Sequence, residues 1–216
     1  MAVERALSGA RLVTFRLDSD ADIALAAAER LLSDDETARA ARFHFDRDRH
    51  RYIRARGVLR RVLGEATDQP PEALCFDYGP RGKPRLAVGP AFNLSHSGDH
   101  GAVALAETGR VGLDIEARDR RITDRAALAE RCFSDPERAA IDAAPDPLHR
   151  FLSFWTAKEA RMKLTGEGLA LDPRDIHLTL DEDGRPTGIA APDRPATTLT
   201  RFEEDGIIGA LALASA

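Results

Sequence analysis

The spacing of apolar and polar positions along the chain predicts an alternation of strands and helices. Short segments that alternate with a period of two predict strands, and longer segments with apolar positions three and four residues apart predict helices. In the first half, the predicted strands are 11–17, 74–78, 91–95 and 101–106, and the predicted helices are 20–32, one opening at Ser33 and 46–63. Ser33 and Glu36 have the spacing of a capping box, and Gly64 is the predicted end of the third helix.

The second half repeats this order loosely. Its predicted strands are 111–116, 176–180, 197–203 and 207–213, and its predicted helices are one opening at a second capping box, Ser134 with Glu137, and a long one from Asp146 to Gly166. The residues of the two halves do not match, so an internal duplication rests on element order alone. The boundary is expected near residue 107, which gives units of 1–107 and 108–216.

The strand at 111–116 carries two acids where a core strand normally carries none. Asp114 and Glu116 share one strand face, and Leu113 and Ile115 share the other. The flanking residues are apolar and glycine-bearing, which indicates an internal strand, and paired carboxylates are costly to bury unless a cation or a proton intervenes. A solvated strand face is the simpler reading. The more specific reading is a site for Mg²⁺ or Mn²⁺, which prefer carboxylate oxygens.

A third acid, Glu159, lies on the long predicted helix one turn before Lys163. This spacing also suits an ordinary surface ion pair. However, Phe151, Trp155 and Met162 form an apolar stripe, with Glu159 and Lys163 along its edge. Charges at the edge of a buried stripe favour a lined cleft over an outer face.

Composition changes this picture in three ways. The chain has 216 residues, 43% hydrophobic and 31% charged, with no apolar run long enough for a membrane helix and no signal-peptide pattern, so we expect a cytoplasmic protein. Nine arginines lie between Arg39 and Arg61 in a chain of net charge −5, which favours an anionic ligand over bulk nucleic acid, although a solvated helix face is also possible. The isolated Cys75 and Cys132 are expected to be small core residues.

Polar residues at the end of the strand 91–95 are the remaining candidates. Ser95 and His96 are adjacent, so their side chains diverge on a strand, and there is no G-x-S-x-G elbow. His96 is therefore read as a phosphate or hydroxyl contact, or as a structural histidine. Lys83, in a glycine and proline turn, is either a phosphate ligand or a solvated turn residue.

In combination, these segments resemble the 4′-phosphopantetheinyl transferases of the surfactin-synthetase-activating type. Four pieces match in order over Arg42 to Lys163: Arg42-Phe43 with Asp48-x-x-Arg51; Gly82-Lys83-Pro84; Phe92-Asn93-Leu94-Ser95-His96-Ser97; and Gly112 to Glu116 with Trp155-Thr156-Ala157-Lys158-Glu159-x-x-x-Lys163. The resemblance implies an α+β fold made of a pseudo-symmetric pair of similar halves with the active site in the cleft between them.

The resemblance also implies a reaction. Coenzyme A is the expected donor, magnesium the metal, and a serine of an apo acyl or peptidyl carrier protein the acceptor, with adenosine 3′,5′-bisphosphate released by in-line attack. Carried over by residue, Asp114, Glu116 and Glu159 hold the magnesium, and Glu159 takes the serine proton directly or through a water. The expected contacts to phosphate and nucleotide are Arg39, Arg51, Lys83, Ser95, His96 and Lys163.

One departure concerns the nucleotide end. Relatives often have a basic residue two turns before the Arg-Phe pair, whereas this chain has Glu36 there, which leaves Arg39 to hold the nucleotide. A pseudo-dimer within one chain predicts a monomer. Two rival functions remain: a magnesium-dependent phosphodiesterase or nuclease, and a non-enzymatic module whose arginines bind nucleic acid or an acidic partner. The second rival leaves the three acids without a role.

Overall fold

The computed structural model describes residues 2–166, 171–191 and 196–215. Its helices are α1 Leu25–Glu29, α2 Asp34–Ala40, α3 Asp46–Thr67, α4 Arg125–Cys132, α5 Asp135–Asp142 and α6 Pro147–Thr165. Its strands are β1 Val3–Leu7, β2 Ala10–Arg16, β3 Asp77–Tyr78, β4 Pro84–Arg85, β5 Ala91–Ser97, β6 His100–Ala106, β7 Arg110–Ala117, β8 His177–Leu180, β9 Pro186–Ala190, β10 Thr198–Glu204 and β11 Ile207–Ala214. The predicted α+β class is confirmed. Within the described ranges, no helix is long and apolar enough to cross a membrane.

Two antiparallel sheets organise the molecule, each with one long helix. The first has the strand order β1-β2-β6-β5, and the second has the order β10-β11-β7. In the first sheet, β6 lies between β2, the strand that precedes α3, and its hairpin partner β5. In the second sheet, β11 lies in the same way between β7, the strand that precedes α6, and its hairpin partner β10. Helix α3 shares a core with the first sheet, and α6 packs its alanines on β11.

A buried ion pair joins the short capped helix to the long helix that follows it, both in the first half of the chain and in the second. Glu36 and Glu137 are the third residues of the capped helices α2 and α5, and both are almost fully buried. Glu36 binds Arg56 and Arg60 of α3, while Glu137 accepts a 2.7 Å hydrogen bond from Lys158 of α6. These pairs are expensive to desolvate, so their repetition at matching positions supports the pseudo-symmetry that element order suggested.

The same cations also bind matching carbonyls after each long helix. Arg60 donates to the carbonyl of Pro71, and Lys158 donates to that of Pro173, at 2.9 Å in both cases. Both prolines open a short 3-10 turn. An acid at position 36, where relatives often have a basic residue, thus has a structural explanation, because the Glu36 carboxylate neutralises two arginines of the core.

Several elements differ from the sequence prediction. β1, β4, β9 and α4 were missed. The strand expected over 74–78 is formed only over Asp77–Tyr78, and the helix expected over 20–32 only over Leu25–Glu29. Gly64 does not end α3, which continues to Thr67 and closes at Asp68 in the left-handed conformation. A side chain at Gly64 would lie 2.8 Å from the carbonyl of Gln69, so this glycine serves close packing.

The expectation that both cysteines are core residues is wrong for Cys75. It is exposed, whereas Cys132 is buried as predicted. Its neighbour Leu74 points into the first core, and in the extended chain the next side chain points the opposite way.

The two faces of β7 have different neighbours. Leu113 and Ile115 pack against residues of the first sheet, such as Leu12 and Ala104. The other face meets α6, because a Cβ added at Gly112 would overlap the carbonyl oxygen of Ala160. Asp114 and Glu116 lie on this second face, as the alternation predicted.

We expect Gly112→Ala to destabilise the protein by about 1–3 kcal/mol, because the added methyl group meets the backbone of α6 rather than a flexible side chain. Urea unfolding measures the change. Gly79→Ala is the matched control, since its Cβ would come no closer than 3.6 Å to the carbonyl of Lys83. Equal midpoints for the two variants would contradict this close packing.

Candidate active site between β5, β7 and α6

The free edge of β7 is joined to β5 by side chains. Three polar residues of β5, Asn93, Ser95 and Ser97, accept hydrogen bonds of 2.8–3.2 Å from backbone N–H groups of β7. The donors are Leu113, Ile115 and Ala117. This row satisfies β7 amides that no backbone strand partner reaches. Sequence reasoning missed it, although the spacing of two between the three polar residues is its signal.

The same two serines orient the acids. Ser95 Oγ donates to Asp114 Oδ1 at 2.9 Å, and Ser97 Oγ donates to Glu116 Oε2 at 2.6 Å. Both carboxylates are almost fully buried. The divergence of Ser95 from His96 is confirmed, because Ser95 is buried and His96 is exposed.

Each acid also has a cationic partner. Lys163 Nζ lies 2.6 Å from Asp114 Oδ1 and 3.1 Å from Ser95 Oγ. Arg120, four residues after Glu116, forms an ion pair with Glu116 Oε1. Asp114 Oδ2 is buried and accepts no hydrogen bond from any described residue. Such an oxygen is costly unless a ligand or cation completes its shell.

Glu159 is half-buried on α6, one turn before Lys163. Burial and the negative charge of Asp114 raise the pKa of its carboxyl, and Lys163 and Arg120 partly oppose this effect. Glu159 and Asp114 are therefore electrostatically coupled. In the described part of the chain, however, no three such side chains are already arranged as metal ligands.

The candidate nucleotide contacts lie in the first sequence half. Although His96 reaches solvent, neighbouring protein atoms desolvate its ring in part, and this lowers the pKa of His96. The charges of Lys163 and Arg51 act in the same direction, and the charge of Asp114 opposes them. His96 is therefore within electrostatic range of Lys163 and Arg51. Arg51 Nε is buried without a partner among the described residues. Arg39 is exposed and lies over the ring of Tyr52, with its guanidinium carbon 5.5 Å from the ring centroid.

Lys83 lies at the C-terminal end of α6 rather than beside the acids. Its ammonium donates to the carbonyls of Lys163 at 2.6 Å, Leu164 at 3.3 Å and Val111 at 2.8 Å. Burial lowers its pKa to about 8. All three donors are thus used within the chain, two of them on carbonyls at a helix end. A cavity of about 510 Å³ adjoins Lys83 and Arg110, and its lining does not include the three acids.

Two family descriptions cover most of this architecture. The 4′-phosphopantetheinyl transferase superfamily matches residues 110–214, and the N-terminal part of 4′-phosphopantetheinyl transferases matches residues 19–108. The chain is 37% identical over 192 residues to the 4′-phosphopantetheinyl transferase HetI of Nostoc sp., covering 85% of this chain and 78% of that protein. The chain belongs to the 4′-phosphopantetheinyl transferase family.

Other members of the family are similar over shorter stretches. The 4′-phosphopantetheinyl transferase psf-1 of Bacillus pumilus is 34% identical over 169 residues, which cover 76% of this chain and 70% of psf-1. Among solved structures, the holo-[acyl-carrier-protein] synthase of Neisseria meningitidis has a TM-score of 0.44 and 22% identity, over 50% of this chain and 99% of its own. Family membership confirms the resemblance inferred from the motifs. The rival phosphodiesterase or nuclease reading finds no support, because the matched families and these relatives are transferases.

Proposed function

We propose that this phosphopantetheinyl transferase moves the 4′-phosphopantetheine group from coenzyme A to a serine of an apo acyl or peptidyl carrier protein. The observation that carries the proposal is that Asp114 lies beside Lys163 and is electrostatically coupled to Glu159 where β7 faces α6, in a chain of this family. Glu116 lies on the same face of β7 as Asp114. The serine oxygen forms a bond to the pantetheine-side phosphorus. The bond from that phosphorus to the bridging oxygen breaks, and adenosine 3′,5′-bisphosphate leaves.

Asp114, Glu116 and Glu159 would hold Mg²⁺, because their donor set fits a hard divalent cation. The fit rests on Asp114 Oδ2, which is buried without a hydrogen-bond partner among the described residues, and on Glu159, whose pKa is raised by burial and by the charge of Asp114. A bound cation would stabilise both carboxylates in their ionised form. When bound, magnesium supplies positive charge that stabilises the phosphate oxygens of the donor.

Glu159 is our candidate for the group that accepts the serine proton, directly or through a water. A carboxylate whose pKa is raised is a stronger base than an ordinary glutamate, and burial and the charge of Asp114 raise the pKa of Glu159. Lys163, held by Asp114 and Ser95, is the candidate to balance the charge on the departing phosphate.

His96, Arg51 and Arg39 are the proposed contacts to the nucleotide phosphates. His96, whose pKa is lowered, can bind a phosphate as a neutral hydrogen-bonding group, whereas Arg51 and Arg39 supply guanidinium donors. For Ser95 and Lys83, the structure adds a second role. Ser95 orients Asp114 and Lys83 holds the end of α6, so a phosphate contact from Lys83 requires it to exchange one of its carbonyl partners.

The domain, partner and compartment assignments remain part of the proposal. A division into 1–107 and 108–216 is supported by the two family matches, which meet between residues 108 and 110. We propose a monomer in the cytoplasm that binds coenzyme A and a carrier protein, without nucleic acid or membrane as a partner.

Intact-mass measurement of a carrier protein tests this function. With the enzyme, coenzyme A and Mg²⁺, an apo carrier should gain about 340 Da, the mass of one phosphopantetheine group. The gain should disappear when a chelator is added or when the carrier serine is replaced by alanine. No gain with acyl and peptidyl carriers alike would contradict the proposal.

A further inference from the structure

Arg120 is a cation at the candidate metal site that the family resemblance did not assign. It lies in the loop after β7, which is anchored by hydrogen bonds from Arg118 N to Gly206 O at 2.8 Å and from Arg120 N to Ala117 O at 3.0 Å. Its guanidinium pairs with Glu116 Oε1. The Glu116 side chain is 8% exposed and that of Arg120 is 39% exposed, so only the arginine has direct access to water.

The two strand acids differ in how a metal could reach them. Asp114 keeps Oδ2 free of hydrogen bonds from described residues while Lys163 occupies Oδ1, so a cation can bind Asp114 without displacing Lys163. Glu116 has no such oxygen, because Ser97 occupies Oε2 and Arg120 occupies Oε1. A metal that binds Glu116 must therefore replace one of these partners.

Arg120 is the partner that can be exchanged. Ser97 also accepts the hydrogen bond from Ala117 N, so moving it would leave a backbone amide of β7 without its acceptor. Arg120 makes its contact from a solvent-facing loop, beside an open depression of about 570 Å³ lined by Arg120, Arg121, Ile122 and Arg125 among others. The arginine side chain has space to move there.

We propose that Arg120 holds the cation position at Glu116 while the metal is absent and leaves it when a divalent cation binds. This inference rests on the proposed function, since it takes Asp114, Glu116 and Glu159 as the metal ligands. Arg120 thus keeps Glu116 paired in the metal-free protein and competes with the metal.

Mn²⁺ binding to chelator-treated protein, followed by electron paramagnetic resonance, tests the competition without any measurement of activity. We expect Arg120→Gln to bind Mn²⁺ about 3- to 10-fold more tightly than the wild type, in keeping with loss of a partly exposed ion pair. Arg121→Gln is the matched control, because it removes the same charge one residue away. Its affinity should stay within about twofold of the wild type, since exposed charges act weakly at a distance.

Thermal unfolding supplies the second readout. Without metal, Arg120→Gln should melt below the wild type, because Glu116 loses its cationic partner, and saturating Mn²⁺ should raise its melting temperature by more than that of the wild type. Arg120→Lys keeps the charge and should give an intermediate Mn²⁺ affinity.

The outcomes separate this inference from the proposed function. Equal Mn²⁺ affinities in the wild type and Arg120→Gln, or equal tightening in Arg120→Gln and Arg121→Gln, would overturn the competition and leave the metal centre intact. Failure of the wild type to bind Mn²⁺ at all, with or without coenzyme A, would overturn the metal centre itself.

Discussion

Glu159→Gln should lower the rate of phosphopantetheine transfer by about 100- to 10,000-fold, the range typical of losing a general base. Glutamine has nearly the same shape but cannot accept the serine proton, and it provides a weaker oxygen ligand to a metal. Intact-mass kinetics with one carrier protein measure the rate. Glu130→Gln, at an exposed acid of α4, is the control and should leave the rate unchanged.

The same substitution should make the metal-free protein more stable at pH 7. Burial and Asp114 raise the folded-state pKa of Glu159 above its ordinary 4.5, so the folded protein binds this proton more tightly than the unfolded chain. Stability therefore falls as the pH rises from the unfolded pKa toward the folded one, and the ionised side chain is destabilising above that window. Glutamine avoids this effect, and the difference between variant and wild type should shrink below pH 4.

Thermal unfolding in chelator at pH 4 and pH 7 checks this expectation. A variant that loses both activity and stability at pH 7 would indicate that Glu159 is a structural residue. A variant that retains more than half of the wild-type rate would show that Glu159 is neither the base nor a required ligand.

Glu36→Gln should lower the free energy of unfolding by about 3–5 kcal/mol, the typical effect of removing one member of a buried ion pair. The Glu36 side chain has 0% exposure and lies between Arg56 and Arg60, which are 7% and 1% exposed. Both guanidiniums also stack on Phe76, at 4.7 and 5.0 Å from its ring centroid. The two guanidinium groups are therefore fixed in place and cannot move into solvent when the carboxylate charge is removed.

Urea unfolding measures this change, with Glu72→Gln as a matched control at an exposed position. The control should stay within about 0.5 kcal/mol of the wild type. Glu137→Gln removes the equivalent carboxylate beside Lys158 and should be strongly destabilising as well. An effect below about 1 kcal/mol at Glu36 would contradict the assignment of these pairs as repeated core features.

The elements with the clearest local signals could be predicted from the sequence. Both capping boxes, the hairpin around Gly98 and the two faces of β7 follow from short-range hydrogen bonding and alternation, and all are present. The alanine-rich stretch 20–32 was overestimated because helix propensity is weak evidence without tertiary packing. Gly64 was misjudged because a glycine required for close packing resembles a helix terminator when neighbours are unknown.

The candidate site was predictable in its acids but not in its partners. Asp114, Glu116 and Glu159 could be selected because buried carboxylates need a cation, whereas Arg120 resembled any other arginine of a polar loop. The role of Arg120 depends on the path of the loop after β7. That path is set by the hydrogen bond from Arg118 N to Gly206 O, between residues far apart in the chain. Likewise, the three contacts of Lys83 with β7 and α6 are long-range, so its turn alone did not reveal them.

The most direct test of the proposed metal centre is an anomalous difference map from crystals grown with Mn²⁺ and coenzyme A. The diffraction data for this map are collected near the manganese absorption edge. We expect a peak within about 2.5 Å of carboxylate oxygens of Asp114, Glu116 and Glu159, beside the pyrophosphate group of coenzyme A. Bound coenzyme A with no manganese peak among these three side chains, or with the peak held by other residues, would contradict the account.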